Sequence, residues 1–130
     1  MDPTPLIAVV EDDDAVRDAL ADLIEVLGFD CRSFQDGESF LAAHAPGLFS
    51  CLVTDLNLPG ASGLQLQQRL QSREPSLPVI VISAQTNPAS RDQALRLGAV
   101  AYLAKPIRDD VLLKHLTAAL GRGPPRPPSD

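Results

Sequence analysis

Cys51-Leu52-Val53-Thr54-Asp55-Leu56-Asn57-Leu58-Pro59-Gly60 is a short apolar run that ends on a carboxylate and passes straight into turn chemistry. A run of this length, bounded by turn residues, reads as a buried strand over 51–54. The residues from Asn57 to Gly60 are those that tight turns favour. Asp55 therefore stands at the C-terminal tip of a strand, the place where open α/β sheets gather their chemistry.

Working outward, the same alternation recurs. Leu6–Val10 is continuously apolar, as expected of a strand covered on both faces. It is followed by a helix over 15–27, whose apolar positions Val16, Leu20, Leu23, Ile24 and Leu27 recur at three- and four-residue steps before Gly28. Residues 31–34 read as a second strand, and Asp36-Gly37 opens a helix carrying Phe40 and Leu41 that Pro46-Gly47 ends. After Gly63 comes a helix with Leu66 and Leu70, stopped before Pro75. Pro78 introduces Val79-Ile80-Val81-Ile82, an unbroken β-branched run. Asn87-Pro88 starts a fourth helix, with proline at a tolerated first-turn position, and Leu97-Gly98 ends it. A fifth strand over 100–103 precedes Lys105-Pro106, and a last helix spans 108–120. Repeated strand–helix units build a parallel sheet with helices on both faces, an α/β three-layer αβα architecture.

Composition sets the outer bounds. The 130 residues suit one domain, with 45% hydrophobic and 22% charged residues. A formal net charge of −6 argues against direct nucleic-acid binding by this segment. No apolar stretch nears the roughly 20 residues of a membrane span, and Met1-Asp2-Pro3-Thr4 has no basic n-region. The expectation is a cytoplasmic protein with no membrane partner. Cys31 and Cys51 fit no zinc spacing and are expected as buried, reduced thiols. His44 and His115, on helices without metal-ligand spacing, are expected as surface or partly packed residues. The proline-rich residues 122–130 read as an extended linker or tail, leaving 1–121 as the domain.

Parallel topology also assembles a site. Glu11 and Asp12 follow the first strand, Asp55 the third, Ser83 the fourth and Lys105 the fifth, so all emerge on one edge of the sheet. Gathered carboxylates repel and need a cation among them, and the lysine adds a fixed positive charge. Such a set suits magnesium and a phosphoryl group. Asp13 and Asp14 read more simply as acids at a helix N-terminus.

The stretches Val9-Val10-Glu11-Asp12-Asp13, Val53 to Gly60, Gly63-Leu64, Val81-Ile82-Ser83-Ala84, Gly98-Ala99 and Tyr102 to Pro106 carry a resemblance. In this order and spacing the chain resembles a response regulator receiver domain of the CheY-like superfamily, nearest the FixJ-like subgroup, over about residues 5 to 121. The resemblance implies a five-stranded sheet of order 2-1-3-4-5 with five helices. It implies that Asp55 is the phosphoacceptor, that Asp12, Asp55 and the backbone carbonyl of Asn57 ligate Mg²⁺, and that Glu11 acts through a metal-bound water. Lys105 would pair with Asp55 at rest and with a phosphoryl oxygen afterwards. Ser83, helped by the amide of Ala84, would bond another phosphoryl oxygen. Tyr102 would move with Ser83 as a switch, although a plain packing role fits that residue equally. Lys105-Pro106 would carry a cis peptide. Departures are mild: Glu11 stands for the commoner aspartate and Ser83 for threonine, and Asn57 and Gln85 occupy positions that in the family flank the route of the attacking water and tune phosphoryl lifetime.

The implied partner is a sensor histidine kinase, with homodimerisation on phosphorylation and an output domain, as in a transcriptional regulator. The chain is expected to be a switch that catalyses only its own phosphorylation and dephosphorylation. A haloacid-dehalogenase-like phosphatase would need a second acid two residues after its aspartate, and Asn57 is there instead. A receiver-like interaction module usually lacks an acid, the lysine or the hydroxyl, and all three are present.

Overall fold

The computed structural model describes residues 4–84 and 87–120. In chain order these form β1 (Leu6–Val10), α1 (Asp14–Val26), β2 (Asp30–Phe34), α2 (Gly37–Ala43) and β3 (Cys51–Asp55). There follow α3 (Gly63–Arg73), β4 (Val79–Ser83), α4 (Pro88–Arg96), β5 (Ala101–Ala104) and α5 (Asp109–Ala119). The five strands are all parallel, in the order β2-β1-β3-β4-β5. The expected αβα architecture and strand order are therefore present. The expected linker over 122–130 lies outside the described residues. No described helix is long and apolar enough to cross a membrane.

Two apolar layers sandwich the sheet. On one face Leu20 and Ile24 of α1 and Leu112 and Leu116 of α5 meet Ile7, Val9, Val53 and Ile82. On the other, Phe40 and Leu41 of α2, Leu66 and Leu70 of α3 and Ala94 of α4 meet Ala8, Val10, Leu52 and Val81. Side chains of successive strand residues point to opposite faces, so β3 and β4, buried along their whole lengths, are apolar on both faces until the polar residues at their C-terminal ends, Thr54, Asp55 and Ser83. β2 is an edge strand in which only Cys31 and Phe34 are partly buried. Its Arg32 lies over the rings of Phe34 and Phe49, at 5.5 and 5.9 Å from their centroids.

Local chemistry sets the ends of the helices. Asp13, Asp36, Ser62 and Asn87 each accept a backbone N–H at a helix start. Ser62 and Gln65 complete a capping box on α3.

Several expectations shift. Strand β3 runs through Asp55, because that residue still pairs with Ile82 despite its charged side chain. Strand β5 starts at Ala101 rather than Val100, which is half exposed, and runs through Ala104. The last helix begins at Asp109 with Arg108 as its cap. Cys31 is half-buried, not buried, because the edge strand covers it on one side only; Cys51, on a central strand, is buried as expected. Burial pushes the Cys31 thiol up to about 11 and the Cys51 thiol up to about 12, so both remain protonated at neutral pH. His44 takes the partly packed of its two expected settings, with its ring against Phe40 and 2.8 Å from a Glu74 carboxylate oxygen.

Candidate functional site

Backbone pairing continues one residue past several strands and fixes the groups beyond them. The N–H of Glu11 donates to the Phe34 carbonyl (3.0 Å), that of Leu56 to Ile82 (2.9 Å) and that of Lys105 to Ser83 (2.9 Å). Helix α3 seats closely on the end of β3. A Cβ on Gly63 would stand 2.5 Å from the Asp55 carbonyl oxygen and 2.9 Å from the Leu56 Cα, so the approach requires glycine.

At this edge the Lys105 ammonium bridges two carboxylates from strands β1 and β3. Its Nζ lies 2.7 Å from Glu11 Oε1 and 2.9 Å from Asp55 Oδ2. Each acid gives its other oxygen to the backbone: Glu11 Oε2 accepts Asp13 N–H (3.1 Å) and Asp55 Oδ1 accepts Asn57 N–H (3.2 Å). Glu11 is 1% exposed and Asp55 is also buried, while Asp12 is exposed. Ligand oxygens of Glu11, Asp12 and Asp55 all come within 4.8 Å of one another.

The electrostatics follow from that packing. Burial is the main influence on Glu11 and, with the charge of Asp55, holds its carboxyl above the ordinary value; the bonds from Lys105 and Asp13 oppose it. Burial alone would lower the Lys105 ammonium. The bonds and charges of Glu11 and Asp55 outweigh it, so its pKa lies above the usual lysine value. Three acids beside one ammonium leave a surplus of negative charge open to solvent at Asp12. An oxygen-only, partly hydrated donor set of this kind fits Mg²⁺.

The remaining expected residues fall around this centre. Ser83 is buried at the end of β4, and exposed Ala84 follows it. Asn57 is exposed immediately after the Asp55 strand. The Lys105-Pro106 peptide is cis. Tyr102 is half-buried on the side of the sheet that α4 covers, opposite Val81 in register. Gln85 lies outside the described residues. Two contacts are invisible in the sequence pattern: the bond from Lys105 to Glu11, and that from Arg17 to the Glu11 carbonyl. The (i, i+3) spacing of Asp14 and Arg17 marks only the ion pair between those two.

The model of the response regulator receiver domain matches residues 7–117. The chain belongs to that family. It is 34% identical over 125 residues to the transcriptional regulatory protein FixJ of Bradyrhizobium diazoefficiens, covering 95% of this chain and 60% of that protein. It is 39% identical over 112 residues to the transcriptional regulatory protein TdiR of Thauera aromatica, covering 86% of this chain and 49% of that one. The crystal structure of FixJ-N matches with a TM-score of 0.82 at 32% identity, over 92% of this chain and 95% of that one. The receiver domain thus spans about half the length of the curated relatives it matches. It is the receiver domain of a two-component response regulator and has transcriptional regulators among its relatives.

Proposed function

We propose that this receiver is a phosphorylation switch whose acceptor is Asp55. The observation that carries the reading is Lys105, held between the Glu11 and Asp55 carboxylates at the sheet edge where Asp12 also projects. A phosphohistidine of a sensor histidine kinase is the donor. An Asp55 carboxylate oxygen forms a bond to phosphorus as the N–P bond breaks in a donor ring protonated on its other nitrogen, leaving an acyl phosphate on Asp55 and a neutral imidazole on the kinase. Lys105 then exchanges its Asp55 oxygen for a phosphoryl oxygen. Ser83 and the amide of Ala84 hold another phosphoryl oxygen. Positioned charges of this kind carry most of phosphoryl-transfer catalysis.

Asp12, Asp55 and the carbonyl of Asn57 would hold Mg²⁺. Glu11, at 1% exposure the more enclosed of the two buried acids, would act through a metal-bound water. The ion would neutralise charge on the transferred group. The domain is not an enzyme acting on a separate substrate; it catalyses only its own phosphorylation and hydrolysis.

The added charge, near −2, favours the conformation in which Ser83 and Lys105 close on the phosphoryl group, with Tyr102 following. That shift reshapes the face of α4, β5 and α5 to control homodimerisation or an output domain, so that the full-length protein regulates transcription in the cytoplasm. Residues 1–121 form the switch, and the proline-rich residues 122–130 a linker or tail. Beryllofluoride with Mg²⁺, a mimic of the phosphorylated state, tests this by amide NMR. Shifts centred on Asp55 and spreading to α4 and β5 are expected, and none in Asp55→Asn. Equal shifts in both proteins would overturn the assignment.

A further inference from the structure

Arg17 lies outside the acid centre, yet it is anchored to it. Its side chain is 17% exposed. One guanidinium nitrogen donates to the backbone carbonyl of Glu11 at 2.9 Å, and the other pairs with the Asp14 carboxylate. We propose that Arg17 is a positioning residue for the cation site: it fixes the peptide between Glu11 and Asp12 and thereby aims the Asp12 carboxylate. The proposal rests on the Mg²⁺ reading above and extends it to a residue that touches neither ion nor phosphoryl group.

The β1–α1 loop supports this assignment. Glu11 N–H is held by Phe34 (3.0 Å), Asp13 N–H by Glu11 Oε2 (3.1 Å), and the Asp13 carboxylate by Val16 N–H (3.0 Å). These bonds secure both ends of a three-residue turn and leave the Glu11–Asp12 peptide to Arg17. A peptide unit is planar, so the direction of the Glu11 carbonyl also sets the Asp12 N–Cα bond and the cone its carboxylate can sweep. Asp12 is exposed, so packing contributes little to holding that cone. Arginine suits the task because its rigid planar fork can hold the carbonyl with one nitrogen while the other pairs with the exposed Asp14 carboxylate. A lysine at 17 offers one ammonium and no plane.

Positioning and plain electrostatics make opposite forecasts here. A cation beside the acids repels Mg²⁺, so on charge alone removing it tightens binding. If Arg17 holds the loop in shape, removing it weakens binding despite the gain in negative charge. Loss of a group that orients a metal ligand commonly costs about 10–100-fold in affinity.

The experiment is an amide NMR titration of the whole chain with Mg²⁺ alone, comparing wild type with Arg17→Met, Arg17→Lys, Asp14→Asn and Asp12→Asn. Spectral dispersion reports folding for each sample. Arg17→Met should bind Mg²⁺ about tenfold more weakly, with the Asp12 and Asp13 amides displaced before any metal is added. Arg17→Lys, which keeps the charge and the aliphatic stem, should also bind more weakly and carries the test should the methionine variant unfold. Asp14→Asn, which leaves the carbonyl bond intact, should bind within about twofold of wild type, since it removes only a surface ion pair. Equal or tighter binding by a folded Arg17→Met, or wild-type affinity in Arg17→Lys, overturns the proposal. Asp12→Asn separates the two levels. If wild type ignores Mg²⁺, or Asp12→Asn binds as wild type does, the cation reading fails and takes the proposal with it.

Discussion

Helix α4 is held to the sheet by different forces from helices α1 and α5 on the opposite side. Helices α1 and α5 each bury two large aliphatic side chains, Leu20 with Ile24 and Leu112 with Leu116. Helix α4 buries Ala94 alone. Its C-terminal end is tied instead to α3: the Gln67 side-chain amide donates to the Ala94 carbonyl (3.0 Å), and that of Gln71 to the Leu97 carbonyl (2.7 Å). Gln67 is buried at 1% exposure and is the one described residue with an enclosed side-chain polar atom, its Oε1, left without a partner. Apolar burial gives stability without direction, whereas hydrogen bonds give direction at little net stability. A helix seated mainly by polar tethers can change seat at small cost. That suits a face which the proposed switch must reshape.

The comparison breaks most visibly in the core. Leu116→Ala should cost about 2–5 kcal/mol, since the sheet cannot collapse onto the space; urea unfolding measures it. A cost below about 1 kcal/mol would mean that α5 is no better seated than α4. Next in size is the post to which α4 is tied. Ser62→Ala removes half of the α3 capping box and should cost about 1 kcal/mol, read from the same unfolding curves. Gln67→Leu sharpens the contrast. Global stability should change by less than about 1 kcal/mol, because the Ala94 carbonyl keeps its bond from Ala99 N–H (3.0 Å) and the orphaned oxygen is gone. Hydrogen exchange should nevertheless quicken in α4 and not in α5. Uniform change across both helices would remove the distinction.

The smallest effect concerns pH, and it contrasts the centre of the sheet with its edge. Burial raises the Cys51 thiol from an ordinary value of 9.0 to about 12. The folded chain therefore prefers the protonated thiol. That contribution is complete below about pH 9 and is lost as pH climbs toward 12. Cys51→Ala should flatten stability over this window, and alkylation in the native state should reach half-buried Cys31 before Cys51.

Much of this architecture was legible because periodicity and topology encode it. The unbroken apolar residues of Leu6–Val10 and the β-branched run from Val79 to Ile82 can only be central strands here, and parallel order then carries Glu11, Asp55 and Lys105 to one edge. Strand ends were less legible. Asp55 is polar yet still pairs in the sheet, and Val100 is β-branched yet half exposed, because backbone pairing ignores side-chain polarity at an edge. Polar partners between remote positions were legible only where the family resemblance supplied them, as for Lys105 with Asp55. Lys105 meets Glu11 across 94 residues, Gln67 looks like any exposed helix position, and His44 closes on Glu74. Side-chain bonds of this kind have no period, so only the folded arrangement discloses them. Arg17 is intermediate: its pairing with Asp14 follows from helical spacing, its hold on the Glu11 carbonyl does not.

The central claim is that one carboxylate, Asp55, takes the phosphoryl group. Incubation with acetyl phosphate and Mg²⁺ followed by intact-mass analysis tests it most directly. The wild-type chain should gain a single phosphoryl group that hydroxylamine removes, peptide mapping should place it on Asp55, and Asp55→Asn and Lys105→Ala should gain little or none. A wild-type chain that gains nothing, or an Asp55→Asn chain that gains as much, would contradict the account.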